Sequence, residues 1–302
     1  MGRFDHRKYI SLTMEFRCNL KCVHCMIEGT MDRLDPEPDS RFHELLDFNE
    51  REKRFSGVIF TGSEITLRRD LPDLARTARA RGFEHVRIQT HGMALSDPAY
   101  LSELVESGVD EYFVSVAGHD AATHDGITTV AGSFDRTVKG LENIEDHPDA
   151  ISITNTVVTE QSYRSLPAVV ERLAHLKKLV QMEFWFYWPM AQTDEKGLLA
   201  SHLDALPYLK AAIARCRELG REVEVKNFPE CLLGDERRAL YNDQPLLKID
   251  PKFWPEFHKN GFNQCAYKQE CGSKQCLGLN TAYVARFGWH EDVLTPLPAE
   301  PA

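Results

Sequence analysis

The chain is short of positive charge. Its 36 Lys and Arg stand against 46 Asp and Glu, a formal net charge of −10. A protein that grips a nucleic-acid backbone presents a basic surface, so nucleic-acid binding is not expected. Long apolar runs are also missing, and with them a bilayer-spanning helix. The opening Met-Gly-Arg-Phe-Asp-His-Arg-Lys runs directly into a strand-like segment, so neither a signal peptide nor a separate recognition domain is expected. Cysteine is scarce, eight in 302 residues, and falls in groups rather than as a disulfide framework. That usage points to a reducing, cytoplasmic setting. No internal repeat or low-complexity tract occurs, and the Pro-rich end, Pro296-Leu-Pro-Ala-Glu-Pro-Ala, is expected to fray. The length suits one large α/β domain with a smaller appendage.

Strand-like runs are Tyr9–Met14, Gly57–Phe60, Val86–Thr90, Tyr112–Val116, Ile151–Val158 and Met182–Tyr187. Amphipathic stretches lie between them: Leu71–Arg81, Ala99–Ser107, Ser133–Glu145 and Leu166–Leu179. This alternation predicts six βα units around a parallel sheet. After Trp188 the pattern changes. Leu203–Leu219 reads as a helix stopped by Gly220, and Glu222–Phe228 as a short alternating run. A turn-rich segment with four cysteines follows. The expected division is a core over 1–195, a linking helix over 196–220 and a metal-stapled extension over 221–302.

Ligands of parallel α/β sheets sit at the C-terminal ends of the strands. Three motifs fall there. The first, Cys18-Asn-Leu-Lys-Cys22-Val-His-Cys25, follows the first strand. A closed metal site takes four protein ligands. Three thiolates can hold a [4Fe–4S] cluster and leave one iron free. They can also form part of a zinc site with His24 or a distant fourth ligand, or be inert thiols. The spacing after a first strand resembles the radical S-adenosylmethionine (radical SAM) superfamily. The resemblance implies a partial (β/α)6 barrel with a small C-terminal metal-stapled extension. It also implies SAM bound at the open iron and reductively split to a 5′-deoxyadenosyl radical that takes hydrogen from a substrate.

By the same resemblance, Phe60-Thr-Gly-Ser-Glu64 looks like the family's Gly-Gly-Glu motif, with Ser63 in place of the second Gly. Gly62, Ser63 and Glu64 would then receive the SAM amino group; otherwise this is a plain βα turn with Glu64 as a helix N-terminal acid. Ile88-Gln-Thr-His-Gly92 resembles the Thr-Asn-Gly stretch, with His91 for Asn and Gln89 beside it. Val114-Ser-Val-Ala-Gly118, with His124-Asp125 and Gly132-Ser-Phe134, resembles the fourth-strand region, and Ser115 is the SAM-contacting candidate. Thr128-Thr129 stands where the family often has Arg-Gly. Asn155 could bind the SAM ribose or carboxylate, or satisfy backbone groups in the core. Trp188, in Trp185-Phe-Tyr-Trp-Pro-Met190, would lie near the adenine, while Trp185 and Phe186 also fit core packing. His91, Tyr187 and Asp125 are candidate acids or bases.

Cys231, Cys265, Cys271 and Cys276 form the second group; Cys216, on a helical stretch, reads as a small core residue. Four thiolates suit zinc or a fully ligated cluster. A three-cysteine site with an open iron also stays possible if Cys231 is only nearby. The segment resembles the auxiliary-cluster Twitch or SPASM extensions of radical SAM enzymes. An auxiliary [4Fe–4S] cluster beside the SAM cluster would accept an electron from a substrate radical, giving dehydrogenation or ring closure. The expectation is therefore a radical SAM oxidoreductase acting on a small molecule or short peptide, served by a reductant such as flavodoxin or ferredoxin. Alternatives are a ribosomal-peptide maturase, a non-catalytic Fe–S scaffold and a zinc-stapled binding protein.

Overall fold

In the computed structural model, residues 4–26 and 33–298 are described. The last part of the Pro-rich end, 299–302, lies outside them. Strands and helices alternate: β1 (Tyr9–Glu15), α1 (Asp39–Glu52), β2 (Gly57–Gly62), α2 (Leu71–Ala80), β3 (His85–Thr90), α3 (Pro98–Glu106) and β4 (Glu111–Ser115). Next come α4 (Ala121–Thr128), α5 (Ser133–Ile144), β5 (Ile151–Val158), α6 (Leu166–Arg172) and β6 (Leu179–Phe186). The remainder holds α7 (His202–Glu218), β7 (Glu222–Lys226), α8 (Glu230–Leu233), β8 (Leu246–Lys248), α9 (Phe253–Phe257) and α10 (Thr281–Phe287).

All eight strands are parallel, in the order β7-β6-β5-β4-β3-β2-β1-β8. The sheet is the curled half-barrel of an α/β fold, and the six expected strands are all in it. Two further strands from the 221–302 segment flank them. Helix α6 is shorter than its sequence pattern suggests. It stops at Arg172, and in the turn beyond it the Glu145 carboxylate accepts from the Lys177 and Lys178 N–H groups, at 2.8 and 2.9 Å. Among the described residues, no helix is long and apolar enough to cross a membrane.

The period-2 alternation of a strand sorts side chains between two faces. Ile10, Leu12, Met14, Val58, Phe60, Val86, Ile88, Tyr112 and Val114 join one large core with the helices. The alternate residues Tyr9, Ile59, Phe113 and Ile153 form a separate apolar cluster with Phe4 inside the curl. This inner cluster plugs the N-terminal end of the barrel. There Arg87 stacks on Phe4 and Tyr9, at 4.4 and 4.7 Å, and donates to Glu111 at 2.7 Å.

A partial barrel has two raw edges. Here one continuous segment, 240–248, touches both. Leu240 bridges to Val225 of β7, and the Tyr241 N–H donates to the Val225 carbonyl at 3.0 Å. A few residues on, β8 pairs with β1, Ile10 opposite Leu246 and Leu12 opposite Lys248. A buried ionic knot reinforces the seam. His6, just before β1, bonds Glu224 of β7 at 3.0 Å. Lys226, only 1% exposed, donates to Glu224 at 2.9 Å and to the Tyr241 carbonyl at 2.7 Å. Removing one partner of a buried ion pair leaves an uncompensated charge. Lys226→Ala should therefore destabilise the fold by about 3–5 kcal/mol in denaturant unfolding. An unfolding curve matching wild type would show that Lys226 does not hold the seam.

Candidate functional site

The cysteine loop leaves the end of β1. Cys18 is exposed, Cys22 and Cys25 half-buried. The Leu20 N–H donates to Cys18 Sγ at 3.3 Å, and the Cys25 N–H to the Cys22 carbonyl at 2.9 Å. The loop is docked on the C-terminal end of α4, where a helix leaves carbonyls free. Lys21 and Val23 donate N–H groups to the carbonyls of Thr128 (3.2 Å) and Ile127 (2.9 Å). Thr129, at φ 61°, takes the left-handed conformation natural to glycine, and its hydroxyl donates to the Lys21 carbonyl at 3.0 Å. Lys196 Nζ donates to the Val23 carbonyl at 3.0 Å. Although the residue as a whole is exposed, desolvation of its sulfur by the surrounding loop pushes the Cys18 thiol up to about 11, with the charges of Glu64 and Cys25 adding to it; an iron ligated there would reverse this by binding the thiolate.

Glu64 is the buried centre of the site, 0% exposed. Its carboxylate accepts from the Thr66 N–H (3.0 Å), the Thr66 and Thr90 hydroxyls (2.5 and 2.6 Å) and the His91 N–H (2.8 Å). His91 Nδ1 accepts from the Met93 N–H at 3.2 Å, so the ring proton lies on Nε2. That nitrogen faces both Asn19 Oδ1 (2.7 Å) and Glu64 Oε2 (3.1 Å). Burial lowers the basicity of His91 against the pull of Glu64. His91 is thus a neutral bracket between the β2 exit and the cysteine loop, with both ring nitrogens engaged.

The Asp125 carboxylate is engaged as well. It caps α5, accepting from the Gly132 and Phe134 N–H groups (2.7 and 2.8 Å) and the Ser133 hydroxyl (2.8 Å). Burial alone would raise its carboxyl, but those bonds outweigh it and hold it below the usual range. Tyr187 is half-buried, and burial and then Asp194 push its phenol up to about 12. Trp188 sits edge-on to Phe257 and Phe262, at 5.1 and 5.3 Å.

The remaining residues meet at the strand ends. A Cβ on Gly62 would lie 1.8 Å from the Glu15 carbonyl, so glycine is what lets β2 close on β1. Gln89 accepts from the Thr61 hydroxyl at 2.5 Å. Ser115 is exposed and lies opposite Asn155 in the β4–β5 register. Ser63 Oγ and Asn155 Oδ1 are buried without a hydrogen-bond partner. Buried polar atoms are rarely left unpaired. These two orphans fit a ligand bearing an ammonium and hydroxyl groups, as SAM does.

The second cysteine group converges although its members span 46 positions. Cys231, Cys265, Cys271 and Cys276 line one pocket with Tyr267 and Leu294. Tetrahedral zinc with Zn–S bonds of about 2.3 Å would draw sulfurs to about 3.8 Å from one another. Among the described residues, His85, Asp110 and Glu111 are the group whose ligand atoms lie mutually within 4.8 Å; no three cysteine sulfurs do. Four thiolates around one pocket are the donor set of a fully ligated multi-iron cluster, whose thiolates sit on separate irons. The His85 group lies at the opposite end of the strands, where Glu111 is taken up by Arg87 and Tyr9.

Fold and site together define an iron–sulfur enzyme of the half-barrel class. A profile of the radical SAM superfamily matches residues 14–173, and the chain belongs to that superfamily. Its members use a [4Fe–4S] cluster and SAM, and Cys18, Cys22 and Cys25 are the residues here that fit the cluster. The chain is 31% identical over 250 residues to a Methanosarcina barkeri Fe-coproporphyrin III synthase, covering 82% of this chain and 61% of that one. It is 33% identical over 179 residues to a probable GTP 3',8-cyclase of Methanopyrus kandleri, covering 59% of this chain and 56% of the relative. It therefore spans little more than half the length of these relatives. Among solved structures, SAM-bound anSMEcpe superposes with a TM-score of 0.57 at 16% identity, covering 72% of this chain and 63% of that one. Streptococcus suis SuiB bound to its precursor peptide SuiA gives 0.56 at 18%, covering 70% and 47%.

Sequence reasoning missed Asn19, Thr66 and Thr90, the partners of His91 and Glu64. It also missed the docking of the loop on α4, whose one visible trace is the Thr129 position. Removing a partner that orients metal ligands typically costs 10–100-fold in metal affinity. His91→Ala should lose cluster iron to a chelator at least 10-fold faster than wild type. Asn19→Ala should do the same, and the double variant no worse than either. Equal iron retention in His91→Ala would rule out the bracket.

Proposed function

We propose that this chain is a radical SAM oxidoreductase that takes a hydrogen atom from a compact substrate and passes the remaining electron to a second iron–sulfur cluster. The observation that carries this is the second cage: four distant cysteines brought around one pocket. Cys18, Cys22 and Cys25 hold the SAM-site cluster, and Cys231, Cys265, Cys271 and Cys276 the auxiliary one. When bound, the SAM-site cluster and SAM supply the one-electron chemistry that removes the hydrogen atom. The chain's own residues position the reactants. Gly62, Ser63, Ser115 and Asn155 receive SAM, and Glu64 holds their strand ends in place. A substrate that loses a hydrogen atom, then an electron and a proton, is oxidised by two electrons, leaving a double bond or a new ring bond. Tyr187, half-buried past the end of β6, is the group available to relay that proton.

The substrate is a small molecule in this reading. The plugged base and the stitched seam direct access to the C-terminal rim of the strands, which suits a compact molecule. Two relatives are named for reactions of Fe-coproporphyrin III and GTP, both small molecules. An external one-electron donor of the flavodoxin or ferredoxin type completes the cycle.

Iron per chain after anaerobic reconstitution tests the reading. Wild type should hold about eight irons, and the Cys18/Cys22/Cys25→Ala variant about four. About four falling to none, with zinc retained, would remove the auxiliary-cluster oxidation.

A further inference from the structure

The Pro-rich end does not fray over its described part. Leu294 is 3% exposed and belongs to the main core. Leu294, Thr295 and Leu297 line the second cysteine pocket. The Gly272 N–H, next to Cys271, donates to the Leu297 carbonyl at 2.8 Å. In return, the Leu297 N–H donates to Cys271 Sγ at 3.4 Å. Local sequence explains the aim. In Pro296-Leu297-Pro298 the flanking prolines hold the backbone extended and carry no N–H. Leu297 is left as the one donor of the three, and it points at a cluster ligand.

Hydrogen bonds to the sulfurs and solvent exposure set the potential of an iron–sulfur cluster. An N–H dipole presents its positive end to a thiolate and favours the more electron-rich, reduced state. We propose that Leu294–Leu297 is a redox-tuning seal on the second cysteine cage, in which the Leu297 N–H raises the reduction potential of the cluster held there. Leu297 is a positioning residue in this scheme. Its effect is to make the auxiliary cluster a better acceptor for the single electron left on the substrate. This rests on the two-cluster reading above.

Potentiometric titration followed by electron paramagnetic resonance, on the anaerobic holoprotein, tests it. Leu297→Pro removes the N–H and keeps the extended backbone. Leu297→Ala removes the side chain and keeps the N–H. Leu297→Pro should lower the auxiliary potential by about 59 mV, a tenfold loss in the one-electron equilibrium. Leu297→Ala should stay at the wild-type potential, and the SAM-site cluster should not move in either. A chain ending at Val293 should show the larger drop, with faster bleaching in air. Two intact clusters with an unshifted potential in Leu297→Pro would overturn the seal. Equal shifts in the Pro and Ala variants would overturn the N–H role, placing the effect in packing. A single cluster per chain, seen as about four irons falling to none in the Cys18/Cys22/Cys25→Ala variant, would defeat both the seal and the two-cluster reading.

Discussion

The site depends on one buried carboxylate. Glu64 gathers donors from its own turn, from Thr90 and from His91, so the exits of β2 and β3 are fixed to a common point. Through His91 and Asn19 the same point reaches the cysteine loop leaving β1. Three strand ends that carry the cysteines and the Gly-Ser-Glu turn are thereby held in one arrangement. A buried polar group is tolerable only when it is well hydrogen-bonded. That requirement works in both directions here: the donors satisfy the Glu64 carboxyl in the interior, and Glu64 keeps the donors in register. A fully satisfied network of this kind rigidifies its surroundings. Ser63 Oγ and Asn155 Oδ1 are left without a partner while the Glu64 carboxyl is saturated.

The two metal-binding regions are built differently. The first is a short loop whose cysteines lie within eight residues and which borrows the free carbonyls of α4 for support. The second is assembled from four points of the chain and closed by a tail. A local loop can leave one iron open to a ligand. A cage drawn from distant segments encloses what it holds. The contrast matches the division of labour proposed for them, one site meeting SAM and the other storing an electron.

Much of this was legible in the sequence. The β-branched and aromatic runs marked β1 to β6, because strands buried on both faces need apolar side chains throughout. The cysteine spacing marked the loop. What stayed hidden depends on pairing at a distance. Leu246–Lys248 is three residues long with an exposed leucine, too little pattern to read as a strand until β1 is beside it. His91 and Asp125 look like acids or bases in the sequence, and only the fold shows that their polar atoms are already engaged. The prolines near the end signalled fraying, because their missing N–H groups are visible in the sequence while the thiol facing Leu297 is not.

The stitched seam also sets an order of events. β1 is made first, and the partner for its outer edge, β8, is made more than two hundred residues later. For most of synthesis that edge offers unpaired N–H and C=O groups, the condition under which strands join the wrong neighbour. The first strand stays without its outer partner until β8 has been made. The C-terminal region is therefore the last wall of the barrel as well as the holder of the second cage, and a nascent barrel lacking it is an open sheet.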